Sequence, residues 1–242
     1  MTKVEIKSIE QKDKANQINI MFGKIAPKYD LLNNLMTFGQ HYSWKKSVIK
    51  LALKEVNPKK IIDLCSGTGD IAIIIKDFCP SSEITCIDNC KEMLDIAQDR
   101  FKRKNLKDIN CTLSDLNELN LKEDNIDLIT IGFGLRNLQN REYCLQSIYN
   151  HLENGGVFAC IDLGHPSNTF WKQIFFLYFY GIIPKLGEIF AKNKDAYTYL
   201  PESLSAWYTQ EELKGLLIKT GFKKCYFKNI LGGAIAIHIA VK

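Results

Sequence analysis

The sequence lacks a bilayer-length apolar run, a Cys-x-x-Cys pair and a block of charge of one sign. Its longest apolar run, residues 174–183, has ten residues, about half of what spans a bilayer. No His stands at a zinc-finger offset, so the eight cysteines indicate buried free thiols in a reducing cytosol and no metal site. The formal charge of +5 is spread along the chain, which is too mild to indicate a nucleic-acid partner.

The first 28 residues also lack the features of a targeting segment. No apolar core follows their lysines, and Glu5, Glu10 and Asp13 lie among them, which argues against a secretory signal and a mitochondrial presequence. With 46% apolar and 24% charged residues, the composition excludes a disordered tail, a collagen-like repeat and a coiled-coil rod. We therefore expect one domain over residues 1–242, located in the cytoplasm.

Short β-branched runs alternate with helical patterns between residues 60 and 162, which is typical of βαβ units. Such a series closes into a parallel sheet with helices on both faces. Only Gly232 and Gly233 separate the last two strands, so these form a hairpin and the last strand runs antiparallel. The prediction is an α/β, Rossmann-like sheet of seven strands, at residues 61–64, 83–87, 109–113, 126–133, 157–163, 224–231 and 234–241.

Two segments lie outside this predicted sheet. Residues 14–56 have a helical pattern and form a predicted N-terminal helical cap, and residues 165–200 are an aromatic-rich insertion before the last helix. Both are expected to cover the carboxyl ends of the strands, where open α/β sheets bind ligands. A substrate pocket is predicted beneath them.

A glycine loop follows the first predicted strand and opens directly into a helix. Gly67 and Gly69, with Thr68 between them, allow a sharp turn and close approach of a ligand to the backbone. The spacing from Gly67 also matches a dinucleotide fingerprint, a weak signal when it stands alone. Asp63 and Asp70 flank the loop and would repel a pyrophosphate there. They favour S-adenosylmethionine (SAM), which carries an ammonium and a sulfonium.

Two further acids stand where a nucleoside would lie. Asp88 ends the second strand, 19 residues after Gly69, where a carboxylate accepts hydrogen bonds from both ribose hydroxyls. Asp115 follows the third strand, placed to meet the adenine amino group while Leu116 packs on the ring. The alternative interpretation makes these acids turn formers and makes Asp63 and Asp70 helix-end residues.

With these residues in place, the chain resembles the ubiquinone/menaquinone biosynthesis C-methyltransferase family (UbiE/MenG), a branch of the class I SAM-dependent methyltransferases. The resemblance runs from about residue 20 to the C-terminus. Its specific parts are YDLLNNLMTFGQHYSW at 29–44, GTGD at 67–70 and GFGLRN at 132–137. Many members have Ser where Gly132 stands, so only the backbone of Gly132 can contact the cofactor here.

The resemblance implies transfer of a methyl group from SAM to a ring carbon of a prenylated quinol. A ring carbon becomes nucleophilic when a neighbouring hydroxyl is deprotonated, so the site has to stabilise a phenolate. Arg136 is the expected phenolate partner, His41 and Asp30 are the candidate proton acceptors, and Tyr29 and Asn137 are expected to hold the quinol oxygens. The alternative has His41 packing the cap and Arg136 with Asn137 capping their loop.

The aromatic stretch at 170–190 suits an isoprenoid tail or a membrane surface. Lys172, Lys185, Lys192 and Lys194 would then meet lipid head groups. This stretch therefore allows peripheral membrane contact. Separately, the sequence does not distinguish a monomer from a homo-oligomer.

The substrate has two interpretations from the sequence. Gly132 in IGFG at 131–134 favours demethylmenaquinol, and the alternative is the methoxy-benzoquinol of ubiquinone synthesis, or both. More distant alternatives are a nicotinamide-dependent oxidoreductase that uses the same glycine loop and a non-catalytic SAM-binding partner. The oxidoreductase leaves the segments 29–44 and 132–137 without a role.

Overall fold

The computed structural model describes residues 16–119, 121, 123–183 and 203–242. Helices and strands alternate through the middle of the chain, as the sequence predicts. The strands are β1 (Lys60–Leu64), β2 (Glu83–Asp88), β3 (Ile109–Leu113), β4 (Ile126–Gly132), β5 (Leu152–Leu163), β6 (Lys224–Ile230) and β7 (Ile235–Val241). The helices are α1 (within 16–25), α2 (Tyr29–Thr37), α3 (His41–Ala52), α4 (Asp70–Phe78), α5 (Lys91–Arg103), α6 (Arg141–His151), α7 (Thr169–Phe176) and α8 (Gln210–Thr220).

The seven strands form one sheet in the order β3-β2-β1-β4-β5-β7-β6. Strands β1 to β5 pair in parallel, and β7 runs antiparallel to both β5 and β6. The predicted fold class and the reversed last strand are therefore confirmed. The predicted start of β5 at residue 157 was wrong, since β5 begins at Leu152 with a register shift opposite Ile126 to Leu128. Gly155, at φ 85°, accommodates this irregularity inside the strand.

The centre of the sheet is the apolar core. Strands β1 and β4 contribute Leu64, Ile129 and Ile131, which have no exposed surface. The strand order reverses at β1, which has β2 on one side and β4 on the other. Ligands of open α/β sheets bind at such a switch point, outside the carboxyl ends of the strands.

The carboxyl edge is also where the backbone is most constrained. Cys65, Gly67 and Phe133 all have positive φ in the loops after β1 and β4. Gly69 has φ 81°, and a Cβ atom there would lie 2.5 Å from the Phe101 ring. No side chain fits at Gly69, so the close packing of the loop on α5 requires glycine.

The N-terminal helices and α7 lie together at this edge. Helix α3 is amphipathic and buries Trp44, Val48 and Ile49. Helix α7 continues as a π-helix over Leu177–Ile182, and the Tyr178 hydroxyl donates to the Met36 carbonyl at 2.7 Å. That bond joins the aromatic segment to α2. The predicted insertion is described here only to residue 183 and again from 203, so Lys185, Lys192 and Lys194 lie outside the described residues.

None of the described helices is both long enough and apolar enough to cross a membrane.

Candidate active site

The glycine loop is held in place by Asp88 at the end of β2. The backbone N–H of Gly67 donates to Oδ2 of Asp88 at 2.8 Å, and that of Cys90 donates to Oδ1 at 2.9 Å. Burial raises the pKa of Asp88, and the backbone donors oppose that rise. The carboxylate is thus oriented by the backbone on both sides and retains lone pairs for a ligand.

A small cavity of about 80 Å³ opens beside this carboxylate. Three layers of the fold form its walls: the glycine loop with the end of β2, the loop after β4, and side chains of the N-terminal helices. Of the predicted cofactor residues, Gly67, Asp88, Leu116 and Gly132 line it. The other lining residues include Ile18, Phe22, Tyr29, Met93, Phe133, Gly134 and Asn137.

A larger cavity of about 370 Å³ lies next to it, between the N-terminal helices, α7 and the hairpin of β6 and β7. Its walls are mainly apolar and aromatic, with a few polar groups that include His41, Lys45 and Arg136. Phe22, Tyr29 and Phe133 line both cavities. The two cavities therefore adjoin at these three side chains.

Arg136 lies at the inner wall of the larger cavity, 5% exposed. Its Nη1 is 2.5 Å from Oδ1 of Asp162, at the end of β5, and 2.6 Å from the Phe133 carbonyl oxygen. Its Nε donates to Ser203 Oγ at 3.2 Å. This pairing compensates the buried cation and fixes the guanidinium at the cavity wall.

His41 also lines the larger cavity and is 3% exposed. Its Nε2 lies 3.1 Å from Oδ1 of Asn34, and because an amide oxygen only accepts, Nε2 carries the proton. Nδ1 is then an acceptor, and it has no hydrogen-bond partner among the described residues. Burial and the Lys45 ammonium lower the pKa of His41 to about 4, so the imidazole is neutral at neutral pH.

The Asp70 carboxylate is fully paired within the protein, which the sequence did not indicate. Its carboxylate accepts from Lys45 Nζ at 2.7 Å, Arg100 Nη2 at 2.7 Å and the Tyr42 hydroxyl at 2.9 Å. Burial would raise the pKa of Asp70, but Lys45 and Arg100 outweigh that effect and lower it. The protein's own cations compensate the charge of Asp70, and Asp70 lines neither cavity, so this geometry gives no support to the inference that it attracts SAM.

The remaining predicted residues occupy different places. Asp63 is fully buried, accepts from the Thr130 hydroxyl at 2.6 Å and lines neither cavity; burial raises its pKa to about 7. Asp115 is exposed and caps the turn at Asn117 through its Oδ1. Asp30 accepts from the Thr68 hydroxyl at 2.7 Å and lines neither cavity. Asn137 lines the small cavity and not the larger one.

Sequence reasoning missed three charged residues of the site. Lys45 stands four residues after His41, on the same helix face, and this spacing could have indicated it. Asp162 ends a strand at the ligand edge, which is also a readable signal. Arg100 lies in the last turn of α5, and nothing local marks it.

Comparison with known proteins identifies the family. A model of the ubiE/COQ5 methyltransferase family matches residues 9–242. The chain belongs to the ubiE/COQ5 methyltransferase family. The resemblance predicted from the sequence motifs is thereby confirmed.

Curated relatives of this ubiE/COQ5 chain match it over nearly its whole length. The ubiquinone/menaquinone biosynthesis C-methyltransferase UbiE of Xanthomonas oryzae pv. oryzae is 33% identical over 239 residues, which are 98% of this chain and 94% of that protein. The demethylmenaquinone methyltransferase of Staphylococcus haemolyticus is also 33% identical, over 96% of this chain and 97% of its own.

Solved structures agree on the fold. A SAM-dependent methyltransferase from Thermotoga maritima superimposes with a TM-score of 0.65 at 16% identity, covering 93% of this chain and 99% of that one. At such identity the likeness concerns the fold, which is that of the class I methyltransferases. The chain is a SAM-dependent methyltransferase, as predicted.

Proposed function

We propose that this enzyme methylates a ring carbon of a prenylated quinol, with demethylmenaquinol as the preferred acceptor. One observation carries the proposal: a small cavity at the glycine loop, which contains the Asp88 carboxylate, and a larger apolar cavity share Phe22, Tyr29 and Phe133. Methyl transfer needs donor and acceptor carbon in contact and in line. The names of the curated relatives support a quinone acceptor.

The small cavity has the chemistry that SAM requires. Asp88 offers acceptors for the ribose hydroxyls, and Leu116 and Met93 give an apolar wall for adenine. A Cβ at Gly67 would have open space around it, so the backbone there is accessible to a ligand. We assign Asp88, Gly67, Leu116 and the Gly132 backbone, which line the cavity, to cofactor binding. Thr68 and Gly69 shape the glycine loop, Asp63 bonds to Thr130, and Asp115 is retained as the candidate for the adenine amino group.

The larger cavity has the chemistry that a quinol requires. Its apolar walls accept the ring and the first part of the tail, and its polar groups act on the hydroxyls. Burial raises the pKa of the Tyr29 phenol, so Tyr29 stays protonated and can donate to a quinol oxygen. Asn137 lines the small cavity only. It would contact the quinol only where the two cavities adjoin, at Phe22, Tyr29 and Phe133.

Proton transfer is assigned to His41. SAM, when bound, supplies the electrophilic methyl group. His41 takes the quinol proton, and Nδ1 of the imidazolium formed lies 3.8 Å from Oδ2 of Asp70, whose charge stabilises it. Arg136 stabilises the phenolate as its charge spreads to the ring carbon, and it does so without giving up a proton. The methylated ring carbon then loses its hydrogen as a proton, which restores the aromatic ring and the hydroxyl. Asp30 accepts a hydrogen bond from Thr68, and we assign it a structural role and not proton transfer.

An apolar rim surrounds the mouth of the larger cavity. It consists of Phe38, Trp171, Ile174 and Leu231, which are 36 to 82% exposed and all line the cavity. Phe38 and Leu231 have φ of 50° and 49°, an uncommon conformation for large residues. We assign this rim, with exposed Lys172 beside it, to peripheral contact with an anionic bilayer that contains the prenylated substrate.

Vesicle sedimentation tests the rim. The wild type is expected to sediment with vesicles of mixed zwitterionic and anionic lipid, and Phe38→Ser with Leu231→Ser is expected to lower that binding about tenfold. Phe78→Ser is the matched control, because Phe78 is 40% exposed at the far end of α4. Equal binding by the rim variant and the wild type contradicts membrane contact at this surface.

Acceptor identity is tested with labelled SAM and two chemically reduced, short-tailed quinols offered in parallel, a demethylmenaquinol and a methoxy-benzoquinol. We expect label on a ring carbon of the naphthoquinol. Label on the benzoquinol alone moves the enzyme to ubiquinone synthesis, and label on both assigns a dual role. Label on neither, with SAM binding shown by calorimetry, indicates a non-catalytic SAM-binding partner. Binding of NADH instead of SAM would favour the oxidoreductase.

A further inference from the structure

Arg100 joins parts of the molecule that are far apart in the chain. Its Nη1 donates to the Thr68 carbonyl oxygen at 2.7 Å and lies 3.1 Å from Oδ2 of Asp30. Its Nη2 donates to Oδ1 of Asp70 at 2.7 Å and to the Tyr42 hydroxyl at 2.9 Å. One guanidinium therefore connects the glycine loop to helices α2 and α3.

The residues that Arg100 contacts lie next to residues that line the two cavities. Thr68 lies between the two glycines of the loop, and its hydroxyl donates to Oδ1 of Asp30 at 2.7 Å. Asp30 follows Tyr29, which lines both cavities. Asp70 also holds Lys45 and lies 3.8 Å from His41. The glycine loop and Lys45, which lines the larger cavity, thus belong to one bonded network, and His41 lies beside it.

The charges of this network balance. Two cations, Arg100 and Lys45, face two carboxylates, Asp30 and Asp70, so removal of one member leaves the others uncompensated in a mostly buried place. The fork of an arginine can serve four acceptors at once, whereas a lysine ammonium has three donors on a single atom. The geometry at Arg100 therefore requires arginine.

The small cavity is too small to hold a nucleoside in the observed arrangement. Its volume of about 80 Å³ is below the ~300–1,000 Å³ of typical ligand sites. Ile18, Phe22 and Tyr29 of the N-terminal helices reach into it, and Asn19 Nδ2 donates to the Asn89 carbonyl at 2.9 Å. Entry of a nucleoside requires these side chains to move, and the helices have to return to restore the shared wall.

We propose that Arg100 is a positioning residue that couples cofactor binding at the glycine loop to the closed position of helices α2 and α3. This inference rests on the proposed function, since it takes SAM to be the ligand of the small cavity. A bound cofactor orders the Thr68 peptide, Arg100 transmits that order to Asp30 and Tyr42, and Tyr29 and His41 are held at the quinol.

Hydrogen exchange with S-adenosylhomocysteine as the probe tests this coupling without turnover. In the wild type, saturating probe is expected to slow amide exchange in residues 29–52 by about tenfold, near the lower end of the ~5–150-fold range for coupled sites. In Arg100→Lys, saturated with probe, the slowing is expected to fall below about twofold. Arg103→Gln is the matched control, an exposed arginine on the same helix, and is expected to behave as the wild type.

A second variant covers the case in which Arg100→Lys does not fold. Asp30→Asn removes the ion pair on the α2 side and leaves the bonds of Arg100 to Thr68 and Asp70, so residues 29–37 lose their protection while the probe still binds. Wild-type slowing in either variant overturns the inference, as does a wild type that binds the probe without slowing. A wild type that does not bind the probe overturns the proposed function, and this inference with it.

Discussion

Arg136→Ala is expected to lower kcat by about 10²–10³-fold while the dissociation constant for SAM changes by less than about threefold. The reason is that Arg136 lines the larger cavity and not the small one. Loss of one preorganised donor to a developing oxyanion costs about this much in other enzymes. Stopped assays with labelled SAM give kcat, and calorimetry gives the dissociation constant.

The buried pair with Asp162 requires a control for folding. Arg136→Ala leaves the Asp162 carboxylate, which is 2% exposed, without its cation, and breaking such a pair costs about 3–5 kcal/mol of unfolding free energy. Arg136→Lys retains a cation for Asp162 but loses the fork that also reaches the Phe133 carbonyl and Ser203. A variant that melts like the wild type and keeps full kcat would contradict the role of Arg136.

His41→Gln separates proton transfer from phenolate stabilisation in the same assays. Glutamine keeps a polar group of similar length near Asn34 but cannot take up a proton at neutral pH. We expect kcat to fall by about 10²-fold, the lower range for general base catalysis, with SAM affinity unchanged. A kcat equal to that of the wild type would contradict proton transfer by His41 and would indicate that His41 only packs within the N-terminal cap.

Asp88→Ala is expected to weaken SAM binding by about 30–150-fold, equivalent to about 2–3 kcal/mol. Two effects add in that figure. The ribose hydroxyls lose their charged acceptor, and the backbone N–H groups of Gly67 and Cys90 lose the carboxylate that orients the glycine loop. Calorimetry with SAM measures the loss, and kcat at saturating SAM is expected to change much less.

Asp115→Asn is the matched comparison for Asp88. Asp115 is exposed and its Oδ1 accepts from the Asn117 N–H at 2.9 Å, a bond that asparagine can also accept. A large loss of SAM affinity would show that Asp115 meets the cofactor, and a change below about threefold would leave it a turn residue. Equal losses of SAM affinity in Asp88→Ala and Arg136→Ala would contradict the division of roles between the two cavities.

Local patterns were sufficient for most elements of the fold. Helices α4 and α6 lie between the predicted strands, where the sequence has helical patterns, and Thr209 caps α8 through a capping box with Glu212. Gly232 and Gly233 predicted the final hairpin because no helix fits between the two strands. Strand β5 was misjudged because Asn154 to Gly156 has the composition of a turn, whereas pairing with β4 extends the strand through it.

The site residues also fall into those that the sequence predicts and those that only the tertiary structure shows. The sequence by itself determined the family, the order of helices and strands, and the residues that stand at strand ends, such as Asp88 and Arg136, because these depend on local periodicity and on motifs. Only the tertiary structure decided which charges are available to a ligand. Asp70 meets its cations 25 and 30 residues away, and Arg136 meets Asp162 26 residues away. Such pairings depend on how the sheet brings its loops together, and no local pattern encodes them.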